Sequence, residues 1–200
     1  MPAGSHLEQA EAEDYDLRGG FLQGRSHLII GLSTYAALAV RGAFGMSLTP
    51  LGVTPPVLAL PLSVVAVASG SLLPDVDQRQ ALLSRQMPVR PVSEMVSRVV
   101  GHRGPTHSLL ALVLVSILIG GAEASLRLPG MAILVVWGYL LHLLADMMTH
   151  AGVPLFWPLG GRYGLLPFRF ASDTVFERLV VTVIVLASAA HILWPYLAPR

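Results

Sequence analysis

His142, Asp146 and His150 recur at intervals of four residues. Positions four apart share one face of a helix, so the three form a stripe that turns slowly about the axis. An His-x-x-x-Asp pair can set an imidazole nitrogen and a carboxylate oxygen on one divalent ion, at bond lengths of ~2.0–2.2 Å. Further groups of the same chemistry are His27, the pair Asp75 and Asp77, and His102, Arg103 and His107 in the run Gly101-His102-Arg103-Gly104-Pro105-Thr106-His107-Ser108. The spacing of two in Asp75-Val76-Asp77 puts both carboxylates on one side only if that segment is extended, and Pro74 is expected to end the helix before it. The chain has no cysteine, which excludes disulfides, thiolate metal sites and a Cys nucleophile. A metal here must be held by His, Asp or Glu, a donor set suited to zinc, manganese or iron rather than Cu(I).

The elements that must position these groups are apolar. Of 200 residues 54% are hydrophobic and 12% charged, with a mean hydropathy of +0.64, whereas a soluble domain carries roughly 25% charged residues. Five apolar stretches run from Leu28 to Leu48, Val57 to Leu73, His107 to Ala122, Pro129 to Met148 and Leu179 to Leu197. A bilayer core of ~30 Å needs about 20 such residues and at least ~17. The first, fourth and fifth stretches meet this; the second is marginal and broken by Pro61, and the third is short. The fold expected is all-α, a polytopic helical membrane protein of about five transmembrane or membrane-embedded helices in one domain, residues 27–200. Residues 1–26, with Glu8, Glu11, Glu13, Asp14 and Asp16, have too little apolar surface to fold alone and read as a flexible acidic tail. They lack the basic start and cleavage site of a signal peptide, and Gly4-Ser5-His6 is given no weight as native sequence.

Orientation follows from the basic residues, all 13 of which are Arg. With the N-terminus cytoplasmic and all five stretches crossing, ten Arg fall inside and three outside, the bias expected of cytoplasmic connections. These are residues 74–106 and 149–178. The count uses no His or Asp, yet it places His27, Asp75, Asp77, His102, His107, His142, Asp146 and His150 near one membrane face. Asp146, on a helix otherwise reading Leu-Leu-Ala, costs ~2.5–3.5 kcal/mol at membrane depth and needs a cation, Arg103 or a protonated His as partner. Each group has a plainer reading. Asp75 and Asp77 suit a turn, Thr106 and Ser108 suit caps, His191 suits the interface, and Arg79, Arg85, Arg90 and Arg98 suit anionic headgroups. Four helix ends that all bring His or Asp to one side favour a metal site over capping alone. The net charge of +1 argues against a nucleic-acid partner.

Three blocks, Leu72-Leu73-Pro74-Asp75-Val76-Asp77, Gly101 to Leu110, and Gly138-Tyr139-Leu140-Leu141-His142-Leu143-Leu144-Ala145-Asp146-Met147-Met148-Thr149, resemble the YdjM-type inner-membrane family, as does Ala151 to Pro158. That family is described as LexA-regulated, membrane-bound, metal-dependent hydrolases. The resemblance covers residues 27–180, leaving out the acidic tail and the last helix, and it implies a bacterial inner (cytoplasmic) membrane location. A more distant similarity, in the order His, Asp, His, His-x-x-x-Asp, is to zinc-dependent phospholipase C and fungal single-strand nucleases. It picks out His27, Asp75, His107, His142 and Asp146 as metal ligands. The later His-x-x-x-Glu pair of those enzymes is missing, because His191 is followed four residues on by Pro195. One or two ions, zinc first and manganese second, are therefore expected rather than three.

The function expected is hydrolysis of a phosphoester of a membrane lipid or lipid-linked substrate by metal-activated water. Asp77 would bridge metals or act as general base, His102 would protonate the leaving oxygen, and Arg103 would neutralise phosphate oxygens. The loop from Val153 to Phe170 would be a lid or lipid-facing wall. His-Glu-x-x-His and Gly-x-Ser-x-Gly are absent, and a Lys-containing phosphate motif cannot occur in a chain without Lys. The alternative is a non-enzymatic metal-ion carrier or lipid-binding scaffold. A carrier calls for polar residues spread across the bilayer and repeated halves, and neither is found.

Overall fold

The computed structural model describes residues 24–42, 59–77, 104–126, 128–165, 171 and 174–197. Among them the fold is all-helical: α1 (24–40), α2 (Ala59–Leu72), α3 (Leu109–Leu126), α4 (Met131–Met147) and α5 (Val175–Leu197). Two 3-10 turns, Pro74–Asp77 and Pro105–His107, follow α2 and precede α3. The expected acidic tail falls almost wholly outside the described residues, and α1 starts three residues before the expected domain boundary, at position 24.

Helices α3 and α5 are long and apolar enough to cross a membrane, while α2 and α4 are shorter apolar helices. At ~1.5 Å per residue the 18 residues of α3 span about 27 Å. The third stretch is thus longer than its apolar run, because the helix continues through Glu123 to Leu126. The Glu123 carboxylate accepts the backbone N–H groups of Gly130 and Ala132 at 3.0 and 2.8 Å. It thereby serves the unpaired amides and positive end of α4. Gly130 sits there at φ 93°, a conformation that a side chain would strain. Pro61 does not break the second stretch. It lies in the first turn of α2, where its missing N–H would have had no intrahelical partner.

The core lies between α1, α2 and α4, with Tyr35, Ala39, Ala66, Val67, Leu134 and Val135 buried together. Small residues let these backbones approach, as membrane helices commonly do. A Cβ on Gly70 would collide with the Val135 carbonyl, one on Gly138 with the Val67 carbonyl, and one on Gly31 with the Ser71 hydroxyl. Because the atoms met by Gly138 are largely backbone, they cannot swing aside. Gly138→Leu is expected to lower stability by about 1–3 kcal/mol through overpacking, read as a lower thermal midpoint in detergent; an unchanged midpoint would contradict this packing. By contrast α3 buries no residue, and Val113, Leu114, Ile117 and Leu118 are exposed. α5 buries only Ser188. Such apolar faces suit lipid rather than water.

After α4 the chain forms a braced loop. Val153 and Tyr163 exchange backbone hydrogen bonds at 3.0 and 2.8 Å, the Leu109 N–H donates to Leu155, and the Leu165 N–H donates to Met147. Phe156, Trp157 and Leu159 are exposed on it. The loop is therefore pinned to the ends of both α3 and α4. Residues 166–170, the rest of the expected lid, lie outside the described residues.

Candidate metal centre

The ends of four helices meet at one place. His27 lies in the first turn of α1, Asp75 in the 3-10 turn after α2, His107 in the 3-10 turn before α3, and His142 and Asp146 in the last turns of α4. All five are buried, His107 and His142 completely. The His107 Nε2 lies 3.5 Å from Asp75 Oδ1, 3.4 Å from Asp146 Oδ2 and 3.4 Å from His142 Nε2. The His142 Nε2 is 3.6 Å from Asp75 Oδ1 and 3.7 Å from Asp146 Oδ2, and His27 Nε2 is 3.4 Å from Asp146 Oδ1. The His27 ring stacks on His142 with centroids 3.9 Å apart.

The orientation of each ring has a local cause. The His142 Nδ1 lies 2.8 Å from the Ser71 carbonyl oxygen, which can only accept. Nδ1 therefore carries the proton and Nε2 turns its lone pair into the cluster, the arrangement usual for a ligating histidine. The His107 Nδ1 lies 3.1 Å from Thr106 Oγ1, again leaving Nε2 to face inward. The turn that carries His107 is itself held by α4, since the Tyr139 hydroxyl donates to the Thr106 carbonyl. Burial alone would raise the Asp75 carboxyl; positive charge on the facing imidazoles, His142 first, then His107 and His27, reverses this and holds it below the usual carboxylate range when no metal takes their Nε2 lone pairs.

Two overlapping donor groups could each hold a metal ion: His27, Asp75 and His142, and His107, His142 and Asp146. Ligands ~2.1 Å from a tetrahedral ion stand ~3.4 Å from one another, and the donor separations of 3.4–3.7 Å across the cluster match that spacing. Lone pairs of imidazole and carboxylate packed this closely repel unless a cation lies among them. The donor set therefore fits a divalent metal.

The structure thus brings together His27, Asp75, His107, His142 and Asp146. It does not bring in His150, which is exposed just beyond the end of α4 at Met147. Pro74–Asp77 is a 3-10 turn rather than extended chain, and the Asp77 side chain lies outside the described part of the structure. His102 and Arg103 also lie outside the described residues. The partners of Asp146 include the imidazoles of His27, His107 and His142. Sequence reasoning missed Glu177, at the start of α5, which lines a cleft beside His27 and Asp146. Its position before an apolar run resembles that of any interfacial acid, so only the packing of α5 beside α1 gives it a place near the centre.

The family model for the YdjM inner membrane protein matches residues 22–198. That range runs through the last helix, which sequence reasoning had left outside the resemblance. The inner membrane protein YdjM of Escherichia coli (strain K12) is 42% identical over 96 residues, 47% of this chain and 48% of that protein. The YdjM of Shigella flexneri aligns equally. The chain thus spans about half the length of these curated relatives it matches. The uncharacterized protein YvsG of Bacillus subtilis (strain 168) is 29% identical over 172 residues, 85% of this chain and 94% of that protein. No solved structure matches the chain. The more distant similarity to zinc-dependent phospholipase C thus finds no support among these matches.

Proposed function

The chain belongs to the YdjM inner membrane protein family, and for a member with this buried His–Asp cluster we propose a membrane-embedded, metal-dependent hydrolase. Its substrate would be a phosphoester of a lipid or lipid-linked molecule. The observation that carries this reading is the convergence of three imidazoles and two carboxylates, with inward-facing Nε2 atoms, beside helices α3 and α5 that expose apolar side chains. We place the chain in the membrane as a multi-pass protein with its N-terminus and the cluster at the cytoplasmic face. The bias of Arg toward the same connections supports this orientation.

A bound divalent ion supplies Lewis acidity and lowers the pKa of a water from about 15.7 toward ~7. His27, Asp75, His107, His142 and Asp146 would hold it, with zinc the first choice, manganese the second, and one or two ions in all. Asp75 and Asp146 would offset the positive charge, while the Ser71 carbonyl keeps the His142 ring in the ligating tautomer and the Thr106 hydroxyl engages the Nδ1 edge of His107. Asp77 would take the proton of the attacking water, His102 would protonate the leaving oxygen, and Arg103 would hold phosphate oxygens by paired hydrogen bonds. The exposed Phe156, Trp157 and Leu159 of the braced loop would rest in the lipid interface.

The test is elemental analysis of the protein purified in mild detergent, followed by a screen of phospholipids and lipid phosphates with the metal-replete sample. One or two equivalents of zinc or manganese, together with metal-dependent release of a phosphate or headgroup, is the expected result. Folded protein that takes up no metal would overturn it and leave a lipid-binding scaffold as the better account.

A further inference from the structure

A cleft of about 370 Å³, counting the part open to its surroundings, lies between the first turns of α1 and α5 and the last turn of α4. Its lining changes character with depth. At the level of the helix ends are Ser26, Thr149 and Glu177; about one turn further along the same helices are Ile30, Val180 and Val181. His27 and Asp146 belong to both the cleft and the metal cluster. The His27 Nε2 edge faces Asp146 at 3.4 Å, whereas its Nδ1, though buried, makes no hydrogen bond to any described residue. Such a group is costly unless a ligand or water completes it.

We propose that this cleft is the lateral binding site for one lipid, with a fatty-acyl chain between Ile30 of α1 and Val180 and Val181 of α5. The polar group at the top of that chain would then stand against the His27 Nδ1. Three features favour a lipid chain over other occupants. The apolar half of the cleft lies toward the middle of the helices, where acyl chains are. The α5 wall buries only Ser188 along its length, so lipid is the surrounding medium on its outer side. An imidazole edge without a partner sits at the polar end, at the height of a headgroup. Binding from the side also delivers a polar group to the two residues that the cleft shares with the cluster. The inference rests on the hydrolase reading only where it calls the bound lipid a substrate.

The test uses the full chain in vesicles of phosphatidylethanolamine and phosphatidylglycerol doped with a phosphatidylethanolamine that carries a diazirine on one acyl chain. After illumination, labelled peptides are mapped by mass spectrometry, and metal content is measured on the same samples. Enrichment of label at Ile30, Val180 and Val181 over the exposed residues of α3, reduced about tenfold by Val181→Trp with metal content and thermal midpoint unchanged, is the expected result. Equal labelling of α3 and the cleft, or enrichment that Val181→Trp leaves intact, would overturn the lipid site. Because labelling needs neither turnover nor metal, its failure is separable from failure of the hydrolase reading. Should Val181→Trp not fold, Ile30→Trp tests the opposite wall by the same readout.

Discussion

The His142→Ala variant is expected to purify without metal, its affinity reduced at least about a hundredfold. His142 is the one residue common to both donor groups, so its loss leaves neither with three ligands. Changes to groups that merely orient a ligand already cost about 10–100-fold in affinity, and removal of a shared ligand costs more. His27→Ala makes the contrast. It breaks the group with Asp75 but leaves His107, His142 and Asp146 together, so that variant should keep at least one equivalent. Elemental analysis of the three proteins side by side checks the order: wild type at one or two equivalents, His27→Ala at no more than that, His142→Ala near zero. Wild-type stoichiometry in His142→Ala would remove the cluster as the metal site. The ring stack between His27 and His142 at 3.9 Å makes a melting profile of each variant a necessary companion.

The second large effect is on stability. Excess metal at about a thousand times its dissociation constant should stabilise the wild type by roughly 4 kcal/mol, and Asp146→Ala should gain almost none of it. With metal stripped by a chelator the two should differ by no more than about 1 kcal/mol. A buried carboxylate costs several kcal/mol to desolvate, so in the metal-free protein the removal of Asp146 relieves that cost while losing its contacts to His27 and His107, each 3.4 Å away. Thermal unfolding with and without added zinc measures both differences. A gap of equal size in both conditions would assign Asp146 a purely structural role.

Much of this arrangement was legible in the sequence, for definite reasons. Each apolar stretch carried its helix because a bilayer-length run of Leu, Val, Ile and Ala has few other ways to satisfy its backbone. The Arg asymmetry and the His and Asp positions pointed to one face independently, and the helix ends bearing His27, Asp75, His107, His142 and Asp146 do converge. What escaped was set by backbone and by depth of packing. His150 continued the interval of four, but the helix stops at Met147, and periodicity does not reveal where a helix ends. The Ser71 carbonyl that orients His142 is a main-chain atom, invisible to residue type. Glu123 lies just past the third apolar stretch, where residue type alone does not show that it caps the following helix. The cleft lines its walls from α1, α4 and α5, and no local pattern joins Ile30 to Val181 across that distance in sequence.

The cluster also sets an order of assembly. Its members lie at positions 27, 75, 107, 142 and 146, so a chain emerging from the ribosome presents His27, Asp75 and His107 before any residue of α4 has been made. Until α4 arrives, the turn that carries His107 lacks the Tyr139 hydroxyl that holds it, and Asp75 lacks the imidazole of His142. A nascent chain halted after α3 thus carries ionisable groups with no finished site to receive them, a state that a bilayer penalises. Completion of α4 gathers those groups into one buried cluster. Metal capture would then be a late event in biogenesis, and fragments ending before residue 142 should be cleared by membrane proteolysis rather than accumulate.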